Sequence, residues 1–494
     1  MITRLKIDGF KNLVNVDVHL DSFVCIAGAN AVGKSNLFDA IRFLGELAEQ
    51  RIMDAARSVR SEGQKASDIR DIFSKINNYY SDTICFEVEM IIPPFAYDES
   101  GQRADASITT VKYELKLRYL KDNDDERIII EKEALTPINQ SDARRNIYFA
   151  NTGKWKRSVI KGRRTSEFIS TLEDKDDKQT IRLHQDQTKG SPIHRVAAQL
   201  PRTILSTATA EHPTVCVVRQ EMKSWMLLQL EPSAMRKSDD FDKRKTATLG
   251  ADGANLPATI YRLHAENPSQ DIYQRLSNRL SELIDNVETI NIDKDDKRAL
   301  LTLLLKFKGS TELPARSLSD GTLRFLALAI LELDYQSGGI ICLEEPENGI
   351  HPKKIKAMLQ LLQDIACDTS SEINMDNPFR QVIINTHSPL VVRQVPEGSL
   401  LVAKTEERYD QRAGVKHKVI AFAHLSGTWR NKIPEMPNKI IAMGDLLAYL
   451  GDTSEPYAEN GSVQPSMAQK IENRKMVAER EDVRQIASQL SLFS

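Results

Sequence analysis

The residues with the clearest chemical potential begin with a glycine-rich stretch near the amino terminus. Residues 28–35 read GANAVGKS, a complete GxxxxGK[ST] pattern between a short apolar run and a segment of helical spacing. Glycines let main-chain N–H groups close around phosphate oxygens, and the start of a helix adds partial positive charge. We therefore expect a phosphate-binding loop. Its predicted ligands are Gly28, Asn30, Gly33 and Lys34 for the phosphates of a nucleotide, and the Ser35 hydroxyl for Mg²⁺.

Two adjacent carboxylates follow an apolar run later in the chain. Residues 340–345 read IICLEE, so a buried strand would deliver Glu344 and Glu345 to the carboxyl edge of a sheet, where open α/β sheets bind ligands. Adjacent residues at a strand end point in different directions and can hold different roles. We expect Glu344 to lie near Mg²⁺, usually through water, and Glu345 to polarise an attacking water.

Two shorter motifs complete the set. The sequence LSDGT contains Ser319 and Gly321 and precedes a helical segment, and a helix start with a small glycine-bearing loop is a second anion site. The sequence THSP contains His387 and follows an apolar run, where a histidine can donate a hydrogen bond to a γ-phosphate. Taken alone, they would be an ordinary helix cap and a structural histidine. Their order around the acidic pair favours the functional interpretation.

These motifs need strands that end at a common edge, and the periodicity supplies them. Alternating apolar residues, or short apolar runs, predict strands, and spacing of three to four predicts helices. The pattern is typical of a mostly parallel sheet covered by helices. The predicted strands are 2–8, 14–20, 22–27, 82–92, 108–120, 299–307, 340–343 and 382–385, and the predicted helices are 34–50, 255–287, 323–333, 353–366 and 467–488.

Composition limits the partners and the compartment. The 494 residues include 67 Lys and Arg against 69 Asp and Glu, so any contact with nucleic acid or membrane would have to come from a local patch. The five cysteines are scattered without a CxxC pair, which argues against a zinc ribbon or a disulfide framework. Because we find neither a signal peptide nor a run approaching a membrane span, we expect a cytoplasmic protein with no membrane association.

The middle of the chain is polar and carries one basic stretch. Residues 154–164 read KWKRSVIKGRR and could grip a phosphate backbone, but a solvated hairpin face is the favoured interpretation, since acidic residues nearby reduce the positive field. We divide the chain into four regions. They are 1–94, with the phosphate-binding loop; 95–244, an inserted lobe of mixed β and α structure; 245–450, with the other three motifs; and 451–494, a linker, a helix and a terminal peptide.

The order of the motifs resembles the ABC-type ATPase heads of the SMC, Rad50 and RecF group, and more closely the bacterial AAA15/AAA21 ATPases. The closer resemblance rests on IDGFKN at 7–12, DGANL at 252–256 and EEPENGIHP at 344–352, and it covers about residues 1–50 and 245–405. It implies an α/β P-loop ATPase head. Such a head has a mostly parallel sheet with helices on both faces and an antiparallel N-terminal β part, here with an inserted middle lobe and a C-terminal helical tail.

The resemblance also implies a dimer. In that group two heads close around two ATP molecules, with higher homo-oligomers common. Lys34 and Ser35 would act from one head, while Ser319 and Gly321 would contact the same nucleotide from the partner head. The spacing leaves no long heptad pattern for arms of the SMC or Rad50 kind.

Further roles follow from the same resemblance. Glu345 corresponds to the catalytic glutamate, His387 to the switch histidine, and residues 348–351 to the loop that communicates between the two sites. Two positions depart from the wider ABC class. Glu344 replaces an aspartate, as is normal in the closer group, and Asp320 replaces the second glycine of LSGGQ. No residue of the middle region stands out as the glutamine that normally lines the Mg²⁺ site.

The resemblance does not name a biological role by itself. No DxD follows His387, which argues against a fused Toprim nuclease, and the Rx₄H spacing of Arg412 and His417 falls in a predicted hairpin rather than on a helix. We expect a separately encoded nuclease effector of the HNH or Toprim type, as in anti-phage systems such as Septu or PARIS. The alternatives are a RecF-like DNA repair or replication factor and a nucleotide-gated scaffold with little turnover. DNA binding is left open.

The terminal peptide suggests another partner. Residues Gln489 to Phe493 read QLSLF behind a polar linker and resemble the bacterial sliding-clamp-binding pentapeptide. The glutamine would bond at a pocket rim while the apolar side chains fill clefts. The alternative is a terminal helix that docks on its own head.

Overall fold

The computed structural model describes most of the chain. The described residues are 1–59, 68–77, 79–122, 125–150, 152–173, 179–186, 192–245, 247–268, 270–282, 284–410, 414–434, 439–451 and 475–484. Within them, no helix combines the length and apolar character needed to traverse a lipid bilayer.

The β-strands are numbered in chain order. They are β1 (Ile2–Asp8), β2 (Val16–His19), β3 (Phe23–Ala27), β4 (Lys75–Ile76), β5 (Tyr79–Tyr80), β6 (Thr83–Ile91), β7 (Phe95–Tyr97), β8 (Arg103–Asp105), β9 (Thr110–Asp122), β10 (Asp125–Pro137), β11 (Ile169–Glu173), β12 (Gln179–Leu183), β13 (Ile193–Val196), β14 (Met226–Leu228), β15 (Asp239–Asp240), β16 (Val287–Asp295), β17 (Leu300–Phe307), β18 (Glu312–Pro314), β19 (Gly339–Glu344), β20 (Arg380–Thr386), β21 (Leu400–Asp410) and β22 (Val415–His424).

The α-helices are numbered in the same way. They are α1 (Lys34–Leu47), α2 (Ile52–Ser58), α3 (Gln140–Asn146), α4 (Gly153–Val159), α5 (Pro213–Lys223), α6 (Pro232–Met235), α7 (Leu256–Glu266), α8 (Ile272–Ser281), α9 (Asp320–Leu333), α10 (Ile355–Ile365), α11 (Pro389–Gln394) and α12 (Met443–Gly451). Short 3₁₀ turns lie at Ile69–Ile72, Ala197–Gln199, Leu205–Thr207, Phe241–Lys245, Ala315–Ser317, Pro352–Lys354, Glu397–Ser399, Trp429–Lys432 and Val477–Glu479.

A mostly parallel sheet forms the centre of the molecule. Its strand order is β14-β19-β20-β3-β21-β22, and only β22 runs antiparallel to its neighbour. The strands β19, β20 and β3 are adjacent, so their carboxyl ends meet at one edge. This is the place where ligands bind in open α/β sheets.

The central sheet separates two apolar cores, and the alternation along β3 shows why. Val24 and Ile26 point into the first core, which also contains α1, α2, α5 and the antiparallel sheet. Cys25 and Ala27 point into the second core, with α7 to α12 and the strands β16 and β17. A strand covered on both faces reads as a continuous apolar run. The predicted α/β class, with helices on both faces of the sheet, is therefore confirmed.

The N-terminal strands belong to a second, antiparallel sheet. Its order is β13-β12-β11-β10-β9-β6-β1-β2. Residues from two of the predicted regions, 1–94 and 95–244, share this sheet. A third sheet has the order β15-β17-β16, and β18 also pairs with β17. It packs with α7 and α8 in the second core.

Most predicted strands are confirmed, but one long predicted helix is wrong. Residues 255–287 form two helices, α7 and α8, and Val287 already opens β16. The break has local causes. Pro268 disfavours the helical conformation of the preceding residue, and Asp271 starts a new helix by accepting a hydrogen bond from the Gln274 amide.

The basic stretch at 154–164 is not a solvated hairpin, so that interpretation is wrong. Residues Gly153–Val159 form α4, and Trp155 is fully buried with Phe149, Trp429 and Cys367. The Lys156 ammonium donates to the carbonyls of Arg144 and Ile147 at 3.0 and 2.6 Å. The buried side chains of Trp155 and Val159 therefore hold this segment as a helix against the protein, and Lys156 donates its hydrogen bonds to carbonyls of the same chain.

The C-terminal predictions fall largely outside the described residues. This holds for the linker, for most of the helix predicted at 467–488 and for the QLSLF peptide at 489–493. Within 475–484 the chain forms the turn Val477–Glu479, and Val477 and Val483 are buried in the second core. Arg412 is also outside the described residues, whereas His417 lies on β22.

Candidate functional site

The phosphate-binding loop connects β3 to α1, as the sequence predicts. Gly33 is the N-cap of α1 at φ +102°, and a Cβ there would lie 2.0 Å from the Asn12 amide nitrogen. Only glycine fits such a position without displacing its neighbour. Asn12 also donates to the Val32 carbonyl at 3.0 Å and accepts from Asn36 at 2.7 Å, so it holds the loop against the helix.

The loop leaves main-chain donors available for an anion. Among the described residues, none accepts a hydrogen bond from the main-chain N–H groups of residues 29–33. Gly28 is buried and its N–H donates to the Thr386 carbonyl at 3.3 Å, which ties the loop to the end of β20. Asn30 and Ser35 are exposed at the surface of the loop. Unpaired donors at a helix N-terminus are the arrangement that binds phosphate.

Lys34 turns back onto its own loop. Its ammonium donates to the carbonyls of Gly28 and Ala29 at 2.7 and 2.9 Å, and the residue is 6% exposed. Burial lowers the pKa of Lys34 from its ordinary value, while the carboxylates of Glu345 and Glu344 oppose that change. A cation surrounded by open N–H donors and held by weak carbonyl acceptors is well placed to receive a polyphosphate.

The acidic pair lies beside this loop, and Asn385 positions both of its members. The Glu345 N–H donates to the main-chain and side-chain oxygens of Asn385 at 3.0 and 3.1 Å. The Asn385 amide in turn donates to Glu344 at 3.3 Å. Glu345 has φ +44°, an uncommon conformation for a residue with a side chain. This backbone turn gives the two carboxylates different directions.

Hydrogen bonds hold both oxygens of the Glu345 carboxylate. One oxygen lies 2.7 Å from Nδ1 of His387, and the other accepts from the Asn348 amide at 2.9 Å. Desolvation opposes ionisation of Glu345, but these two hydrogen bonds and the charges of His387 and Lys34 outweigh it and lower the pKa of Glu345. The group is therefore held as a carboxylate with a fixed orientation.

Two further polar groups lie behind this edge. Glu347 is 9% exposed and accepts a hydrogen bond of 2.5 Å from the Thr386 hydroxyl, and burial raises the pKa of Glu347. Tyr449, on α12, has a buried hydroxyl close to the main chain of Gly28. Burial raises the pKa of Tyr449, and the nearby Cys25 and Glu347 raise it further, so α12 reaches the back of the site.

The LSDGT loop forms a separate exposed corner. Ser319 is the N-cap of α9 and accepts from the Thr322 N–H at 3.2 Å, as its sequence predicts. Gly321 packs near the carbonyl of Gly349, which would lie 3.1 Å from an added Cβ. Among the described residues, no hydrogen bond or ion pair joins this loop to the phosphate-binding loop of the same chain.

The structure adds residues that the motifs did not single out. Asn12 lies within the IDGFKN motif, so its position was a usable signal. Asn385 stands at the end of an apolar strand, where an amide able to bond two carboxylates was not recognised. Tyr449 has no sequence signal, since it reaches the site only through the packing of α12.

The fold and the site together define the class of protein. A phosphate-binding loop, an acidic pair and a histidine meet at the carboxyl ends of adjacent parallel strands, which is the arrangement of a P-loop ATPase. A family model described as AAA ATPase domain, AAA_15, matches residues 1–392. The chain therefore belongs to this family, and it is an ATPase that binds and hydrolyses ATP. No curated protein sequence matches it significantly.

Solved structures similar to the chain include several SMC heads. One, an SMC head bound to the C-terminal winged-helix domain of ScpA, is 14% identical with a TM-score of 0.46, covering 85% of this chain and 97% of that one. A second, with an extended coiled coil and the C-terminal domain of ScpA from Pyrococcus furiosus, is 14% identical with a TM-score of 0.44 over 85% and 96%. The head domain from Thermotoga maritima is 13% identical with a TM-score of 0.35 over 86% and 99%.

Proposed function

We propose that this ATPase closes two of its heads around two ATP molecules and thereby controls a separately encoded nuclease in anti-phage defence. The observation that carries the proposal is the convergence of Lys34, Glu345 and His387 at one edge, while Ser319 lies on a separate exposed corner of the same chain. Such a division fits a site completed by a second copy.

Within one head, the roles follow from position. Lys34 exchanges its carbonyl partners for the β- and γ-phosphates, and the N–H groups of residues 29–33 bind the phosphate oxygens. The Glu345 carboxylate accepts a hydrogen bond from the attacking water and aligns it with the γ-phosphorus. His387 fixes that carboxylate and donates to the γ-phosphate in the closed state.

The residues present also fit Mg²⁺. The Ser35 hydroxyl is exposed at the start of α1, and Glu344 retains one oxygen that accepts no hydrogen bond from a described residue. Hydroxyl and carboxylate oxygens are the ligands that Mg²⁺ prefers, often with retained waters. Mg²⁺ bound there would neutralise charge on the phosphates. We therefore assign Ser35 and Glu344 to the metal.

From the partner head, the LSDGT loop supplies the remaining contacts. Ser319 offers its hydroxyl, and Gly321 leaves room for the close approach of a γ-phosphate to the start of α9. Helix α9, which begins in this loop, also contacts its own catalytic edge, because the Arg324 guanidinium donates to the Asn348 carbonyl at 2.9 Å. When the loop of one head contacts the partner's nucleotide, it is therefore connected through α9 to the catalytic edge of its own head.

The ATPase assignment of these residues has a direct test. Lys34→Ala should abolish or severely weaken ATP binding measured by calorimetry. Glu345→Gln should bind ATP, lose about 10²–10⁴ in the rate of phosphate release and accumulate as a dimer or higher assembly in sedimentation. Glu372→Gln, the same change on an exposed carboxylate, is the matched control. A normal rate in Glu345→Gln would exclude it as the water-orienting group.

The effector proposal rests on the motif resemblance to defence ATPases of the Septu and PARIS kind. Mass spectrometry of partners that co-purify from native cells should identify an HNH or Toprim nuclease. Recovery of repair proteins with DNA-stimulated turnover would instead favour the RecF-like function. ATP-dependent closure without phosphate release would favour a nucleotide-gated scaffold.

The QLSLF peptide adds a second proposed partner, a sliding clamp. Deletion of residues 489–494 should abolish capture of the protein by an immobilised clamp while leaving ATP turnover intact. If the deletion variant is captured by the clamp as well as the parent, the peptide is not the clamp-binding segment.

A further inference from the structure

A carboxylate occupies the corner that the proposed function brings to the partner's triphosphate. Asp320 is the first residue of α9, directly follows Ser319, and its side chain is 55% exposed. An acidic side chain at a helix N-terminus interacts favourably with the helix dipole. It also stands where a phosphate would bind, so its negative charge repels the incoming nucleotide.

Arg236 lies against this carboxylate. Its Nη2 donates to Asp320 at 2.5 Å and to the Leu318 carbonyl at 3.0 Å. Arg236 directly follows α6 and belongs to a different part of the chain, so the cation is brought to the loop by tertiary packing. Among the described residues, no acceptor is bonded to its Nε or Nη1, and the side chain is 32% exposed.

We propose that Arg236 belongs to the partner-supplied half of the nucleotide site, where it neutralises Asp320 and donates to the γ-phosphate bound on a second copy of this chain. This inference rests on the head-to-head closure of the proposed function. With Arg236 in place, the loop presents Ser319 and the start of α9 without a net negative charge. The remaining guanidinium donors have no acceptor among the described residues, and their planar geometry matches phosphate oxygens.

A purely structural role for the pair makes a different prediction. If Arg236 only positioned the loop, removal of either side chain would weaken closure, because each change breaks the bond between the two and Arg236→Ala also breaks the bond to the Leu318 carbonyl. Charge compensation predicts that the two substitutions change the strength of dimerisation in opposite directions. Loss of the arginine leaves an unpaired carboxylate facing a triphosphate, whereas loss of the aspartate leaves an unpaired cation that attracts it.

The experiment measures ATP-dependent dimerisation in the Glu345→Gln background by sedimentation velocity with Mg²⁺. Arg236→Ala should raise the dimer dissociation constant about tenfold per site, and thus about a hundredfold for a symmetric dimer with two sites. Asp320→Ala and Asp320→Asn should lower it. The double variant should dimerise better than Arg236→Ala alone. Lys237→Ala removes a neighbouring exposed cation and should leave dimerisation unchanged.

Nucleotide binding by the single head separates this inference from the proposed function. Fluorescent ATP titrated at protein concentrations below dimerisation should bind Arg236→Ala and its parent equally, because Arg236 acts on the partner's nucleotide. Weakening of the dimer by Asp320→Ala as well as by Arg236→Ala, or an Arg236→Ala variant that dimerises like Lys237→Ala, would overturn the inference alone. A Glu345→Gln parent that binds ATP but never dimerises would overturn both.

Discussion

Removal of the Asn348 side chain tests how the Glu345 carboxylate is oriented. Among the described residues, His387 at 2.7 Å and Asn348 at 2.9 Å hydrogen-bond to this carboxylate, and the Glu345 side chain is 30% exposed. Asn348→Ala removes one of them. The hydrogen bond from the Arg324 guanidinium to the Asn348 main-chain carbonyl survives the change, so the loop that carries Asn348 should stay in place.

The size of the effect follows from the lost hydrogen bond. A hydrogen bond to a charged group contributes about 1.5–3 kcal/mol, and partial exposure reduces that to about 1–1.5 kcal/mol here. If the whole amount is lost from the transition state, kcat falls about 5–13-fold. The KM for ATP should change little, because Asn348 acts on the carboxylate and not on the phosphates.

The pH dependence gives a second readout. Asn348 is one of the groups that lower the pKa of Glu345, so its removal raises that pKa. The base must be ionised to work, and the acid limb of the kcat profile should therefore move to higher pH. Asn348→Asp has the same shape but adds a like charge, so it should shift the limb further and reduce kcat more. An unchanged profile and kcat in both variants would refute the proposed orientation.

Two further predictions concern stability. Arg262 and Asp334 form an ion pair of 2.6 Å with side chains 2% and 0% exposed, and Arg262 also pairs at 2.7 Å with Glu266, whose side chain is 30% exposed. Asp334→Ala should lower the free energy of unfolding by about 3 kcal/mol, because Arg262 loses its fully buried partner and keeps the more exposed one. Denaturant titration should show a much smaller loss for Glu288→Ala, which breaks the exposed pair with Lys306, and equal losses would contradict the reasoning. Burial raises the pKa of Glu133 to about 7 from an ordinary value of 4.5, although hydrogen-bond donors partly oppose it. The folded state then binds the proton more tightly, so this group's stabilisation is complete below about pH 4.5 and is lost as pH rises through about 7, by about 3 kcal/mol in total. In denaturant titrations, the free energy of unfolding of Glu133→Gln should fall between pH 5 and pH 8 by about 2–3 kcal/mol less than that of the parent, and an identical fall would exclude this role.

Much of the fold could be predicted because its signals are local. The strands that carry the site are continuous apolar runs, since both faces of the central sheet are covered, and each run stops at its functional residues. The boundary at Val287 could not be predicted in the same way. Its apolar residues continue the spacing of α8, and only pairing with β17 makes that segment a strand.

The residues of the site also divide into those with a local sequence signal and those that only tertiary contacts bring to the site. The spacing of GxxxxGKS, the acidic pair and THSP indicated which residues to consider, because each motif depends on neighbours along the chain. The support for those residues comes from elsewhere. Asn12 reaches the loop from the N-terminal hairpin, and Tyr449 reaches it from α12.

The sequence by itself determined the chemistry available to this protein: a phosphate-binding loop, two carboxylates and a histidine, each at the end of an apolar run. Only the tertiary structure decided that Asn348 and His387 hold the two oxygens of Glu345, and that Arg236 lies on Asp320. The physical reason is that a motif is written in consecutive residues, whereas hydrogen bonds and charges act over a few ångströms of space. Sheet order and helix packing set those distances, and they join residues far apart in the chain.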